Sequence, residues 1–287
     1  MTGQSRITIR YCLSPNWLTL KGCKLFTKMD LCWGYNNVRI HEGDEWKAVF
    51  VMHKGAFEPL VMYFGLCNSP TTFQKMMNEI FHDMLDVCMV YIDDLMIFTN
   101  TGNQEKHDRI VLEVLRWLRD NDLFVKPKKC RFRVTKVDFL GMIVSCDGIK
   151  MDPEKVNAIL KWLEPTNIKQ VHAFLGLGNF YRCFMKDYAI MARPMMDLTC
   201  KDTVFKFGGK EHTAFEALKA TFTHAPVLQY PNQDHEFCLE TDASEFTIRG
   251  VISVKCKDSE FRPITYMSHS MTVCLIPTRR PTHHHHQ

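Results

Sequence analysis

The sequence predicts an α+β protein, and three observations carry that prediction. Strand-like runs with turn signals alternate with amphipathic helices as far as about residue 150. The chain then turns helical, and its last third returns to strands. No internal repeat interrupts this order.

Residues 1–24 carry little periodicity. A strand is expected over 25–30, ending at Asp30 and broken by Gly34. Two more are expected over 46–52 and 57–63, on either side of the turn signal Lys54-Gly55. Asn68-Ser69-Pro70 opens a helix, with a capping residue ahead of a proline in the first turn. Phe73, Met76, Met77, Ile80, Phe81, Met84 and Leu85 form a stripe wide enough to bury one face of it.

Apolar runs at 87–92 and 95–98 flank Asp93-Asp94, which reads as a tight hairpin with both aspartates at its tip. A second helix over 105–121 carries Ile110, Val111, Val114, Leu115 and Leu118 on one side. Another strand and turn follow over 137–143, before Asp147-Gly148. Helices are expected over 153–163, 166–184 and 213–223, and strands over 236–241, 247–254 and 261–267.

Composition bounds the function. The chain has 287 residues, 46% hydrophobic and 24% charged, so it is globular rather than disordered. A net charge of +4 says little, but six of the eleven residues from Lys126 to Lys136 are Lys or Arg and none is acidic. Such a run is either a solvated strand edge or a phosphate contact. The twelve cysteines are scattered, with no C-x-x-C pair and no secretory signal ahead of them. They read as reduced thiols, mostly in core positions, of a cytoplasmic or nuclear protein. No apolar run approaches the roughly 20 residues that span a bilayer. His283 to His286 fall in a polar tail expected to be disordered.

The chemistry centres on acids. Side-by-side aspartates at a hairpin tip are ordinary turn residues when nothing else surrounds them. Here apolar strands anchor the tip, and like charges held side by side repel unless a cation lies between them. Asp30 ends a strand that pairs naturally beside the hairpin. Three carboxylates with water and phosphate oxygens suit Mg²⁺. Paired ions of that kind serve in-line displacement at phosphorus.

These residues sit in a familiar order. Phe26-Thr27-Lys28-Met29-Asp30-Leu31 with Gly34-Tyr35, then Phe64-Gly65-Leu66-Cys67-Asn68-Ser69-Pro70 with Thr72-Phe73-Gln74, then Tyr91-Ile92-Asp93-Asp94 resemble the palm motifs of reverse transcriptases. The similarity is greatest to the Pol polyproteins of gypsy-type LTR retrotransposons. Phe139-Leu140-Gly141, Phe174-Leu175-Gly176-Leu177 and Asn179-Phe180-Tyr181-Arg182 resemble the same family downstream. The likeness runs from about Leu25 to Met271.

The resemblance implies a right-hand polymerase palm, an antiparallel sheet with helices, plus a helical thumb and a truncated ribonuclease H-like α/β segment. On that basis 1–24 is a degraded fingers remnant, 25–149 palm and fingers, 150–206 thumb and 207–235 a tether. Residues 236–271 are then the truncated ribonuclease H-like segment, and 272–287 an unrelated tail.

It implies an RNA-directed DNA polymerase with two Mg²⁺ ions, Mn²⁺ being an alternative. The metal set would be Asp30, Asp93 and Asp94 with the Leu31 carbonyl. One ion would lower the pKa of the primer 3′-hydroxyl, and the other would carry the triphosphate. RNA template, DNA or RNA primer and deoxynucleoside triphosphates are the implied partners.

Tyr35 matches the residue that blocks a ribose 2′-hydroxyl; otherwise it is a core aromatic. Phe64 lies where the family lines the nucleotide pocket, and the resemblance places Ser69 and Pro70 at the opening of the helix beneath the templating base. Phe139, Leu140, Gly141 and Met142 match the hairpin that grips the primer terminus. Lys128 and Lys129 lie in the basic run beside it, which predicts salt-sensitive binding. Either could also pass a proton to pyrophosphate. His172, Gly176 and Phe180 recur every four residues on one helix face, which in the family follows the template-primer minor groove; otherwise Gly176 is a helix-packing contact.

Two departures stand out. The fingers segment that would precede Leu25 is expected to be missing or degraded, and Cys32 stands where the family commonly has a basic residue. Glu240-Thr241-Asp242-Ala243-Ser244 resembles the opening of a ribonuclease H domain, with Asp242 as a vestigial first carboxylate. Its later acids are not found, Arg249 interrupts a small-residue stretch, and three strands without helices are not expected to close a core. No ribonuclease H activity is therefore expected. Two other readings remain: an inactive relic that at most binds nucleic acid, and a metal-dependent nuclease using the same carboxylates.

Overall fold

The computed structural model describes residues 19–270, apart from 202, 233, 245 and 246. Most of the leading segment, the polar tail and its histidines lie outside the described residues.

Strand β1 (Leu25–Cys32) is the axis of the first half. It pairs antiparallel with β5 (Asp94–Thr99), which pairs with β4 (Cys88–Tyr91). On its other edge β1 meets β6 (Phe124–Val125) and β7 (Arg131–Val134). Alternation along β1 separates two faces. Phe26 joins one buried cluster with Met96 and Phe98. Met29 and Leu31 join a second with Leu95 and Ile97.

Helix α1 (Ser69–Ile80) and helix α2 (Gln104–Asp120) cover that second face. Phe73, Met77, Val111, Val114 and Leu118 supply the apolar stripe. Asn103 caps α2 by accepting from the Lys106 N–H at 3.2 Å. Asn68 does not cap α1, since its backbone is already helical and its side chain makes no capping bond. The stripe also outlasts the helix: α1 ends at Ile80, and Met84 follows in a separate 3-10 turn.

The strands expected over 46–52 and 57–63 are shorter than the pattern suggests. Glu45–Ala48 forms a 3-10 turn, leaving the hairpin of β2 (Phe50–Met52) and β3 (Gly55–Phe57). Residues 58–63 are held instead through an isolated bridge from Val61 to Arg39.

A second sheet, β8 (Lys136–Phe139), β9 (Met142–Ser145) and β10 (Gly148–Met151), packs over the first face of β1. It shares its core with the helices α3 (Pro153–Leu160), α4 (Ile168–Phe180), α5 (Tyr188–Asp197) and α6 (Gly209–Thr223). Phe139, Phe174, Tyr181, Phe184, Phe215 and Phe222 are its large buried rings. Helix α4 stops at Phe180, where a 3-10 turn takes over at Arg182–Phe184. Helix α5 has no counterpart in the sequence reading; Pro194 sits inside it, which argues locally against a helix.

Strands β11 (Phe237–Ala243), β12 (Thr247–Lys255) and β13 (Phe261–Ser270) make a third antiparallel sheet. The sequence reading holds that three strands without their own helices do not close a core; one margin of this sheet rests on α5. Ser268 of β13 accepts a hydrogen bond from the Ala189 N–H of α5 at 2.9 Å, and Ile264 and Thr265 are buried. Strand β11 remains mostly exposed.

Ten cysteines fall among the described residues. Only four, Cys23, Cys88, Cys130 and Cys183, are buried, fewer than the mostly-core reading holds. No helix among the described residues is long and apolar enough to cross a membrane.

Candidate active site

The register of β1 and β5 places Asp30 directly opposite Asp94. Asp93 lies beside them at the end of the β4–β5 hairpin, where its carbonyl accepts from the Leu31 N–H at 2.8 Å. The hairpin departs by one residue from the expected tip. Tyr91 pairs with Asp94, so the turn is Ile92-Asp93 and Asp94 belongs to the strand.

Ile92 takes a φ of +50°, a strained conformation for a β-branched residue that costs on the order of 1–3 kcal/mol. Gln74 of α1 holds it there. The Gln74 side-chain oxygen accepts from the Ile92 N–H at 2.7 Å, and its Nε2 donates to the Val90 carbonyl at 3.1 Å. Gln74→Ala is expected to remove about 1–3 kcal/mol of stability and to slow any reaction at the carboxylates by more than that loss explains. Denaturant titration alongside turnover checks this; equal midpoints and equal rates would rule out the clamp.

The three carboxylates differ in environment. Burial works to raise the Asp30 pKa, but Lys126 and Lys129 more than reverse it and hold the carboxyl below its ordinary value. Lys129 Nζ donates to Asp30 Oδ2 at 3.2 Å. Lys126 Nζ forms an ion pair with Oδ1 at 2.8 Å. Asp93 goes the other way: burial raises its pKa, with Asp30 and Asp94 adding to the rise against the pull of Lys126 and Lys129. Asp94 faces Lys28, whose Nζ is 3.5 Å from Oδ1.

Asp93 Oδ1 is buried without a hydrogen-bond partner, and Asp30 Oδ1 is buried against the Lys126 ammonium. Among the described residues, no group of three or more His, Cys, Asp or Glu side chains is already set to hold a metal ion. Lysines stand among the carboxylates instead. A buried, bare oxygen of Asp93 next to two further carboxylates is nonetheless a donor set that a hard cation takes.

Tyr35 sits beside this group, with the charge of Asp93 contributing, after burial, to its raised pKa. Its ring meets Phe73 at 5.5 Å and Phe64 at 4.9 Å, both edge to face. Phe64 is 71% exposed, an open aromatic wall next to a buried one. Ser69 is buried, its hydroxyl donating to the Tyr63 carbonyl at 3.4 Å, and Pro70 follows it in the first turn of α1.

Between β8 and β9, Leu140 and Gly141 form the turn with positive φ, while Phe139 and Met142 point into the core. Tyr181 donates to the Gly141 carbonyl at 2.7 Å and ties this turn to α4. On α4, His172 and Phe180 are half-buried and Gly176 is exposed. A methyl group at Gly176 would meet nothing within 4 Å, so the helix-packing alternative is overturned. The packing glycine is Gly178, where a methyl group would stand 2.9 Å from the Tyr188 hydroxyl.

Lys128 is exposed. Lys126, to which sequence reasoning gave no role, joins Lys129 at Asp30. Gln74, Gly34 and Lys28 were likewise visible only as members of motifs, because their partners lie far away in sequence.

Asp242 is placed differently from the other acids. It lies directly opposite Arg249 across β11 and β12. Arg249 Nε donates to Asp242 Oδ2 at 2.7 Å, and its Nη1 donates to Asp187 Oδ1 at 3.2 Å. A guanidinium already fills the cation position, so these residues do not fit a divalent ion.

Comparison with known proteins agrees with this geometry. Residues 7–144 match the family model described as reverse transcriptase (RNA-dependent DNA polymerase). Residues 207–274 match the RNase H-like domain found in reverse transcriptase, a span that takes in α6 as well as the third sheet. The chain is 38% identical over 256 residues to the retrovirus-related Pol polyprotein from transposon 297 of Drosophila melanogaster, covering 88% of this chain and 24% of that protein. It is 36% identical to the Pol polyprotein from transposon gypsy of the same fly, over 86% of this chain and 24% of that one. It is 32% identical to the transposon Tf2-3 polyprotein of Schizosaccharomyces pombe, over 88% of this chain and 19% of that one. The chain thus spans about a quarter or less of these relatives.

In fold it is similar to the foamy viral protease-reverse transcriptase in complex with an RNA/DNA hybrid, with a TM-score of 0.77 at 23% identity. That match covers 90% of this chain and 35% of the other. The ordered motifs, the antiparallel palm sheet and these relatives agree: the chain belongs to the reverse transcriptase family, with the Pol polyproteins of gypsy-type transposons as its kin.

Proposed function

We propose that this chain is an RNA-directed DNA polymerase that adds deoxynucleotides to a primer 3′-hydroxyl on an RNA template. One observation carries the reading: the buried, unpartnered Oδ1 of Asp93 beside the carboxylates of Asp30 and Asp94. Mg²⁺ ions held by these three side chains and the Leu31 carbonyl would supply the charge stabilisation that in-line displacement at phosphorus needs.

The protein's own groups then act by position and charge. Tyr35, buried against Phe73, presents a fixed ring that leaves no room for a ribose 2′-hydroxyl, and Phe64 forms the open wall of the nucleotide site. Ser69 and Pro70 set the start of α1 under the templating base. The turn at Leu140 and Gly141, braced by Phe139, Met142 and Tyr181, bears on the primer end. Lys128, exposed beside the lysines that hold Asp30, neutralises phosphate. His172, Gly176 and Phe180 follow the minor groove, where open space at Gly176 admits a sugar edge. The foamy viral relative bound to an RNA/DNA hybrid supports a nucleic-acid duplex as partner.

Primer extension on an RNA template with Mg²⁺, measured against Asp93→Asn, tests the reading. Extension by the unmutated chain alone supports it. Template binding with no extension by either protein would sink it in favour of a binding remnant.

A further inference from the structure

Lys28 has no role in the reading above, yet it joins two parts of it. It lies two residues before Asp30 on β1, and alternation puts both on the same face. Its Nζ is 2.8 Å from Asp138 Oδ2 and 3.5 Å from Asp94 Oδ1. Asp138 directly precedes Phe139 on β8, the strand that enters the Leu140-Gly141 turn. Strands β1 and β8 belong to different sheets, so no backbone ladder fixes one against the other.

We propose that Lys28 is a positioning residue that sets the Asp94 carboxylate and the β8–β9 turn in one fixed relation. This rests on the polymerase reading, since it takes Asp94 as part of the reacting centre and the turn as the seat of the primer end. Burial favours the assignment. The Lys28 side chain is only 15% exposed, whereas that of Asp138 is 58% exposed. The ammonium is thus held close to its two acids while one of them opens to the surface where a duplex would lie.

The alternative, a plain ion pair, predicts loss of stability and nothing else. A positioning role predicts misplacement, and an error of about an ångström in a reacting geometry costs on the order of 100-fold in rate. Removing the ammonium also leaves Asp94 beside Asp30 and Asp93 with one fewer positive charge.

The test uses the full chain with Lys28→Met, Lys28→Arg and Asp138→Asn. Template-primer carrying 2-aminopurine at the primer 3′ end is bound first without divalent metal. The expected result is a more mobile, more fluorescent primer end in Lys28→Met and Asp138→Asn, with near-normal values in Lys28→Arg. The double variant should add little to either single change, because both break one link. With Mg²⁺, kcat should fall about 10- to 100-fold in Lys28→Met while the template-primer Kd changes less than threefold.

An unchanged primer-end signal together with an unchanged kcat overturns the proposal. So does a Kd loss that accounts for the whole fall in activity. Should Lys28→Met fail to fold, Asp138→Asn alone decides by the same signal. A Lys28-dependent primer-end signal in a chain that never extends would count against the polymerase reading and leave Lys28 standing.

Discussion

Asp93→Asn is expected to stop primer extension, by on the order of 10²–10³-fold or more, and to make the metal-free protein more stable at neutral pH. The two effects share one cause. Asp93 is half-buried, its Oδ1 is buried with no hydrogen-bond partner, and the charges of Asp30 and Asp94 stand close by. Burial first, and those neighbours second, raise its pKa.

A carboxyl raised in the folded state favours folding most when protonated, and that contribution is lost as pH climbs through the folded pKa. Wherever Asp93 is ionised, the metal-free fold therefore carries an unwelcome charge that asparagine removes. The difference in Tm should shrink as pH falls toward the ordinary carboxylate range, where Asp93 is itself neutral. Asp30 has the opposite sign. Its pKa is lowered, so its contribution is present above the unfolded pKa and is lost as pH falls through the folded one. Thermal unfolding of Asp93→Asn across pH, without metal, checks both halves. A lower Tm for this variant at pH 7 would refute the assignment of a strained charge to Asp93.

Gly34→Ala should be nearly as damaging to turnover, through sterics alone. A methyl group there would stand 2.6 Å from Phe73 Cζ and 2.8 Å from Asp93 Oδ1. Phe73 is fully buried among Tyr35, Met77 and Leu95 and has nowhere to retreat. Overpacking of this kind costs about 1–3 kcal/mol. The carboxylate is the softer neighbour, so it moves, and displacement of a reacting group by about an ångström costs on the order of 100-fold. The pair Gly34→Ala with Phe73→Leu should recover part of the rate by making room. Equal activity of Gly34→Ala and the unmutated chain, measured by steady-state extension, would show that the close approach is immaterial.

The sequence made the palm legible because its signals are local. Alternation in β1 and the stripe of α1 and α2 each lie within a dozen or so residues, and each element formed close to where the pattern put it. The errors arise where distant partners decide. The tip of the aspartate hairpin shifted by one residue, with Gln74, eighteen positions away, taking up the Ile92 amide. Trp46 entered a 3-10 turn although its run reads as a strand, and Pro194 masked α5. At the site, the carboxylates could be named from sequence, but their lysine partners could not. Lys126 meets Asp30 across ninety-six residues, through the pairing of β6 with β1.

The grip of Arg249 on acids from two separate elements has a consequence for the molecule as a whole. A hydrogen bond to Ser268 ties one margin of the third sheet to α5, while the other, β11, has its backbone pairing with β12 and the Asp242–Arg249 ion pair. Concentrated electrolyte, with a Debye length of roughly 3 Å at 1 M, weakens the ion pair and spares the hydrogen bonds. In strong brine the outermost strand should therefore exchange its amide protons early, well before the aromatic interior of the thumb lets water in.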